Sequence, residues 1–465
     1  MQLQKEPSND GSAQNRLLTL VDLFAGCGGL SLGFENSGFT PVFVSELNKD
    51  ARDTYLYNRT HELGGLKFNE NEMLNCGDAN KLTKSRIDQL KSDLRNINEI
   101  DFQFDNLSSR TSGGGSSIDI LAGGPPCQGF SGIGIRRNWN VERKNIPANF
   151  LFKRMCNVIS QLRPKIFLFE NVRGILNAYW DEHRSGRVWD TVLSEFKAIP
   201  GYQVKSSLVL AKDYGAPQNR PRVLLVGIRK DILSKSDLID RQSDSDDAIK
   251  CGFLPAKEQQ SYPDLIDLLD DLVDPNIEEI LKTGNYPKGK FETKTYPTIT
   301  DLHPIQEYLR GPKNGSGLNQ AELSDHVYSK HKKRIVEKFS LMISNSGTLP
   351  KELKTKKFSQ RLLPKRWGSS GPNITATSLP DDYIHFSQPR ILTVREWARL
   401  QLFPDWYEFK GKRTTGGIRR AGNPTRGIFD REVPKYTQIG NAVPVCLAQA
   451  VANHFKSIIL NAEKS

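Results

Sequence analysis

The sequence predicts an α/β protein on a doubly wound, mostly parallel sheet, with a smaller irregular domain set between two parts of the main one. Three observations carry this reading. Over the first 230 residues, apolar runs of strand length alternate with segments of helical periodicity. Turns rich in glycine follow those apolar runs, where open α/β sheets keep their ligands. From residue 250 to 370 the alternation lapses into sequence rich in Pro, Gly and Lys.

Taken in order, LLTLVDLF (17–24) is a buried strand that ends in the turn AGCGG. LSLGFENSG reads as a helix stopped by Gly38, FTPVFVSE (39–46) as the next strand, and Lys49 to Arg59 as a helix. SIDILAG, KIFLFE (165–170) and RVLLVGI (222–228) are further strands. Before KIFLFE, Leu151, Met155, Val158, Ile159 and Leu162 fall at helical spacing, and Pro164 closes that helix. Residues 84–117, ending in SSRTSGGGSS, read as a flexible low-complexity insertion, and the acidic stretch after Arg229 as a linker. LTVREWARLQ is helical, as is 445–460, with Val451, Phe455, Ile458 and Ile459 on one face. The expected units are a core over 15–232, a second domain over 250–384, and a segment over 385–465 that returns to the core.

The 465 residues are 37% hydrophobic and 25% charged, and no run approaches the ~18 apolar residues of a membrane span. The polar N-terminus MQLQKEPSNDGSAQN has no apolar signal-like stretch. Six scattered cysteines without a C-x-x-C pair argue against zinc and disulfides, and for a reducing cytoplasm. The net charge of +12 is clustered. Lys330 to Arg366 holds twelve Lys/Arg against two acids, and Lys410 to Lys435 eight against two. Such clusters favour a nucleic acid, whose phosphates attract them.

AGCGG places backbone N–H groups and a helix start beside a ligand. Glu46, twenty residues past Gly26, can grip ribose hydroxyls. The third glycine of G-x-G-x-x-G is replaced by Ser31, which weakens a nicotinamide-dehydrogenase reading. A shorter loop suits S-adenosylmethionine, which has no pyrophosphate, and Asp78 in GDA is placed for the adenine edge. GGPPCQGFS (123–131) presents Cys127 on a turn stiffened by Pro125 and Pro126, with glycines leaving space around the sulfur. That is how a nucleophile is displayed. Glu170 closes a strongly apolar strand, and poor solvation there favours its protonated form. Arg220 and Arg222, two apart, would point to the same mouth.

In this order, DLFAGCGGLSLGFE, GGPPCQGFS, ENVRG, QNRPRVLLVGI, RILTVREWARLQLFPD and QIGNAVPV resemble the motifs of the DNA cytosine-5 methyltransferase family, of the prokaryotic restriction-modification type. The resemblance implies a Rossmann-like S-adenosylmethionine-dependent methyltransferase fold and double-stranded DNA as partner. It also implies that Cys127 attacks C6 of a flipped cytosine, that Glu170 acts at N3, and that Arg222, supported by Arg220, binds near O2. Phe24, Gly26, Gly28, Glu46, Asp78 and Asn441 would line the S-adenosyl-L-methionine site. Arg136, Arg137 and Arg143, in the basic loop after the cysteine, would hold phosphates, and 250–384 would select the DNA sequence. No metal is called for, a monomer is expected, and a restriction endonuclease is a functional counterpart. The extended basic segment 410–435 is expected to touch DNA. Two alternatives stay open: a transfer-RNA methyltransferase of the same fold, and a non-catalytic DNA-binding relative.

Overall fold

The computed structural model describes residues 16–97, 118–126, 143–236, 238, 245–257, 262–297, 301–313, 322–353, 360–366, 372–374, 380, 382–415, 419 and 432–465. Its centre is a seven-stranded sheet. In chain order the strands are β1 (Leu18–Leu23), β2 (Phe39–Ser45), β3 (Asn75–Cys76), β4 (Ile120–Gly123), β5 (Ile166–Val172), β6 (Tyr202–Leu210) and β7 (Pro221–Arg229). Across the sheet they run β3-β2-β1-β4-β5-β7-β6. The first five are mutually parallel, whereas β7 is antiparallel to both β5 and β6.

Strand alternation splits the core into two layers. Leu18 and Leu20 of β1, Ile166 and Leu168 of β5, and Leu224 and Val226 of β7 face one layer. That layer holds α1 (Gly29–Asn36) and the C-terminal helix. Val21, Leu23, Phe167, Phe169, Val223 and Leu225 face the other layer. There lie α2 (Lys49–Tyr57), α3 (Lys84–Arg95), α4 (Leu151–Leu162) and α5 (Val188–Lys197). Helix α4 ends at Arg163, in the left-handed region just before Pro164.

Three segments depart from the sequence expectation. Residues 84–95 are the helix α3, not part of a flexible insertion: Thr83 caps it, and Ile87, Leu90 and Leu94 bury one stripe. The tract SSRTSGGGSS lies outside the described residues. The acidic stretch after Arg229 is no free linker at its far end. Asp247 bridges to Ser206 of β6, and Ala248, Cys251, Phe253 and Leu254 are buried. Strand β6 was not expected, because its residues at both ends alternate while Lys205, Ser206 and Ser207 interrupt its middle.

The chain returns through α6 (Val394–Arg399), α7 (Lys435–Asn441) and α8 (Val445–Lys464), where Val451, Phe455, Ile458 and Ile459 are all buried. Lys435–Lys464 is long and apolar enough to cross a membrane, but it is broken at Ala442–Pro444 and most of its apolar window is buried in the fold. Phe253, Leu254, Leu265, Leu268, Leu269 and Leu272, with Ile305, Leu309 and Leu323, join the same core layer as α1 and α8. Buried ion pairs reinforce that union. The Arg390 guanidinium donates to both carboxylate oxygens of Glu396 at 2.8 and 2.7 Å. Arg399 bridges Asp271 and Asp405 and donates to the Leu268 carbonyl at 2.8 Å, so all five of its N–H groups are satisfied.

Helices α1 and α8 touch through Gly33, where a Cβ would lie 2.4 Å from that of Ala448 and 2.6 Å from the Val445 carbonyl. Gly33→Ala gains about 1 kcal/mol of helix propensity, yet overpacking costs ~1–3 kcal/mol. Net destabilisation is expected, read as a lower urea midpoint with an unchanged slope.

Candidate active site

Strand β1 runs out into a turn with little freedom. Phe24 has φ of +59°, Gly26 +56° and Gly28 +88°, all in the left-handed region that favours glycine. Phe24 holds that conformation with its ring half-buried against the core, the kind of strain that gathers at functional sites. A Cβ on Gly26 would meet nothing within 4 Å, so the turn faces open space there. Glu46, just past β2, ties the turn to its neighbour. Its two carboxylate oxygens accept from the Gly26 N–H at 2.8 Å and the Asn48 N–H at 2.7 Å. Burial pushes the Glu46 carboxyl up from its ordinary range, and those N–H groups oppose the shift. Each oxygen keeps a lone pair for a ligand hydroxyl. Beside it Leu47 is 69% exposed, a large apolar side chain mostly open to solvent. Asp78 follows β3, half-buried, and accepts from the Asn80 N–H at 2.9 Å.

The next two strands build the second half of the mouth. Strands β1, β4 and β5 are neighbours, so their carboxyl ends stand roughly 5 Å apart. Beyond β4 the chain enters Gly124, Pro125 and Pro126. The Asn171 amide, at the end of β5, donates to the Pro125 carbonyl at 3.2 Å and holds this turn against the strand. Gly124 leaves room for Glu170: a Cβ there would lie 2.9 Å from the Glu170 carboxylate and push it aside. Glu170 and Arg222 form an ion pair, with side chains 12% and 8% exposed. The register explains the pairing. Arg222 of β7 sits opposite Val172 of β5, and Glu170 lies two residues away on the same face.

Arg220 is brought to the same edge and used differently. It precedes β7, is fully buried, and donates to the carbonyls of Ile374, Gly440 (2.7 Å) and Ala442 (2.9 Å). Burial and the charge of Arg222 pull its pKa well below the ordinary value. The two arginines thus diverge, Arg222 to Glu170 and Arg220 to the chain on either side of Asn441. Asn441 itself is exposed at the end of α7. The segment it opens lies against the glycine turn, since a Cβ on Gly29 would lie 2.6 Å from the Val443 carbonyl. Gln218, also fully buried, binds Gln401 at 2.9 Å and the Ile374 N–H at 3.1 Å.

Cys127, Arg136 and Arg137 lie outside the described residues, and so does most of 410–435. Arg143 begins the short turn Arg143–Asn145, which is moored by the Lys144 N–H on the Trp180 carbonyl at 3.3 Å. Sequence reading missed Leu47, Asn171 and Gln218. Asn171 had a visible signal, a polar residue directly after Glu170 in ENVRG, whereas the exposure of Leu47 had none. Among the described residues no three His, Cys, Asp or Glu side chains gather as a metal site.

The sequence profile of the C-5 cytosine-specific DNA methylase family matches residues 18–72 and 62–457. The chain belongs to this family. It is thereby a DNA (cytosine-5-)-methyltransferase. Among named relatives, the methylase is 28% identical over 449 residues to the type II methyltransferase M.DdeI of Desulfomicrobium norvegicum, covering 94% of this chain and 88% of that protein. It is also 28% identical over 440 residues to M1.HphI of Haemophilus parahaemolyticus, covering 94% and 86%. A crystal structure of a prophage-encoded E. coli protein, described as a DNA modification methyltransferase, matches with a TM-score of 0.58 at 22% identity. It covers 95% of this chain and 99% of that one, a likeness of fold.

Under the glycine turn, Asp22 of β1 is buried, accepts from the Ser31 hydroxyl through one oxygen, and has no hydrogen-bond partner for the other among the described residues. Burial pushes its pKa up from 3.8 to about 7. The folded state therefore holds this proton more tightly than the unfolded chain, and the resulting stability, full below pH 4, is lost as pH rises to 7. Asp22→Asn should remove that loss, so the variant gains on the wild type across this window in urea midpoints measured at pH 4.5 and pH 8.

Proposed function

We propose that the methylase transfers a methyl group from S-adenosyl-L-methionine to C5 of a cytosine flipped out of double-stranded DNA, through a covalent bond between Cys127 and C6. The observation that carries this is the Glu170–Arg222 pair, built beside a diproline turn that Asn171 pins at Pro125, two residues before the cysteine. A pyrimidine seated there would meet a nucleophile at one edge and a carboxyl and guanidinium at the other. The cysteine thiolate adds to C6 and forms the S–C6 bond, while Glu170 meets the charge that develops at N3 by donating to it. Arg222 keeps Glu170 in place and offers donors toward O2. Once C5 carries its methyl group, its proton leaves to solvent, the S–C6 bond breaks with its electrons on sulfur, and the ring recovers its aromaticity. Flipping the base costs a few kcal/mol, which contacts to phosphate repay. We assign those contacts to Arg136, Arg137 and Arg143.

The first half of the mouth suits the donor. Glu46 offers a half-buried carboxylate for ribose hydroxyls, Leu47 an apolar face for adenine, and Asp78 an acceptor near it. We assign Phe24, Gly26, Gly28 and Asn441 to the same site, a reading supported by the open space that Gly26 faces. S-adenosyl-L-methionine, when bound there, supplies an electrophilic methyl group. No step in this scheme calls on a metal ion. The region 250–384 would select the target sequence, its basic stretches along the DNA backbone. Relatives such as M.DdeI are type II methyltransferases, which supports a role in protecting DNA from a cognate restriction endonuclease. The working form is a cytoplasmic monomer.

A duplex carrying 5-fluorocytosine at the target should crosslink to the protein in the presence of S-adenosyl-L-methionine, because fluorine cannot leave as the proton does. The adduct is expected at Cys127, and peptide mapping that never finds it there would overturn the covalent route. Glu170→Gln should lower kcat by about 10²–10³-fold, as loss of a positioned proton donor does, with the KM for S-adenosyl-L-methionine nearly unchanged in a tritium-transfer assay.

A further inference from the structure

Arg59 plays no part in the chemistry above, yet it is 1% exposed and lies directly behind the cofactor turn. It follows α2, and its guanidinium lies 3.7 Å over the Tyr55 ring. Four acceptors take its N–H groups: the Tyr55 carbonyl at 3.0 Å, the Tyr407 hydroxyl at 3.0 Å, the Gly28 carbonyl at 3.1 Å and the Glu35 carboxylate at 2.6 Å. The Tyr407 hydroxyl then donates its own proton to the Cys27 carbonyl. Two successive carbonyls of the turn, those of Cys27 and Gly28, are thus drawn inward by one guanidinium and one phenol. The N–H of Gly26 faces the other way, onto Glu46. Gly28 has no room for a side chain, since a Cβ there would lie 2.7 Å from Arg59 and 2.8 Å from the Tyr407 oxygen.

An arginine buried only for stability would need its carboxylate, and Glu35 meets that need. The contacts to the turn are additional, and they fall on the Cys27 and Gly28 carbonyls, in the backbone of the turn itself. We infer that Arg59, with Tyr407, is the positioning residue of the cofactor turn: it sets the turn's shape before S-adenosyl-L-methionine arrives and so sets the affinity for it. This rests on the reading of the turn as the S-adenosyl-L-methionine site. Arg59 comes from the start of the chain and Tyr407 from its return segment, so the clamp also makes donor affinity depend on how that segment is seated.

The test uses the full-length protein and S-adenosyl-L-homocysteine as calorimetric probe. Arg59→Gln should raise the probe's Kd and the KM for S-adenosyl-L-methionine by about tenfold, the worth of one charged hydrogen bond. The kcat should change by less than about threefold, the pattern of lost binding rather than lost chemistry. Tyr407→Phe keeps the ring, deletes one hydroxyl, and should raise both constants about three- to tenfold. Combining the two should add little, because both act on the same pair of carbonyls. A merely structural role would lower the melting temperature and leave the probe's Kd unmoved, which would overturn the inference. If Arg59→Gln does not fold, Tyr407→Phe decides alone, and a wild-type Kd in that variant sinks the inference. A wild-type protein that binds no probe would instead refute the reading of the turn.

Discussion

The ion pair between Glu170 and Arg222 depends on one topological decision, the reversal of β7. In a wholly parallel sheet the residues that begin a strand lie at the edge opposite those that end its neighbour. Because β7 runs against β5, its first residues stand beside the last residues of β5, and the register sets Arg222 across from Val172. Alternation then turns Arg222 and Glu170 to the same face. That face belongs to the layer of α1 and α8, so the pair opens toward the segments that return from the far end of the chain. Gly124 and Asn171 adapt the neighbouring turn to this pair, one by lacking a side chain and the other by gripping a carbonyl.

Buried charge is the second organising element. Arg399 with Asp271 and Asp405, and Arg390 with Glu396, are wholly sequestered from water. Removing such ions from water is expensive, and their mutual attraction only roughly offsets it. Their contribution is geometric. Each guanidinium accepts few arrangements of its partners, so Asp271, Asp405 and the helix Val394–Arg399 have one way to meet. Losing Arg399, Arg390 or Glu396 would strand a buried charge, and that penalty holds the return segment in a single seat against the sheet.

Much of this was legible in the sequence because its signals are local. The apolar runs that became β1, β2, β4, β5 and β7 sit where expected, as do the glycine turn and the stripe of α8. Phe24, Gly26, Glu46, Asp78, Glu170 and Arg222 stand at strand ends along one edge of the sheet, since strand ends and glycine turns are both local marks. What escaped is non-local. Strand β6 has a polar middle and owes its place to pairing with β7. Residues 84–95 were hidden by the low-complexity tract that follows them, although their own stripe is regular. Arg220 reads like Arg222 in QNRPR, and nothing within that pentapeptide says that its acceptors are carbonyls more than 150 residues away.

The glycine turn is among the first structured pieces of the chain, yet its far wall is among the last. Cys27 meets Gln438 and Tyr407, and Gly29 meets Ala442 and Val443. During synthesis the amino-terminal strands emerge long before these partners leave the ribosome, at about 5–20 residues per second. A nascent chain therefore carries a glycine turn without its packing partners until residues 407–443 have emerged and docked. The packing of this turn is thus a property of both ends of the fold rather than of the first strands alone.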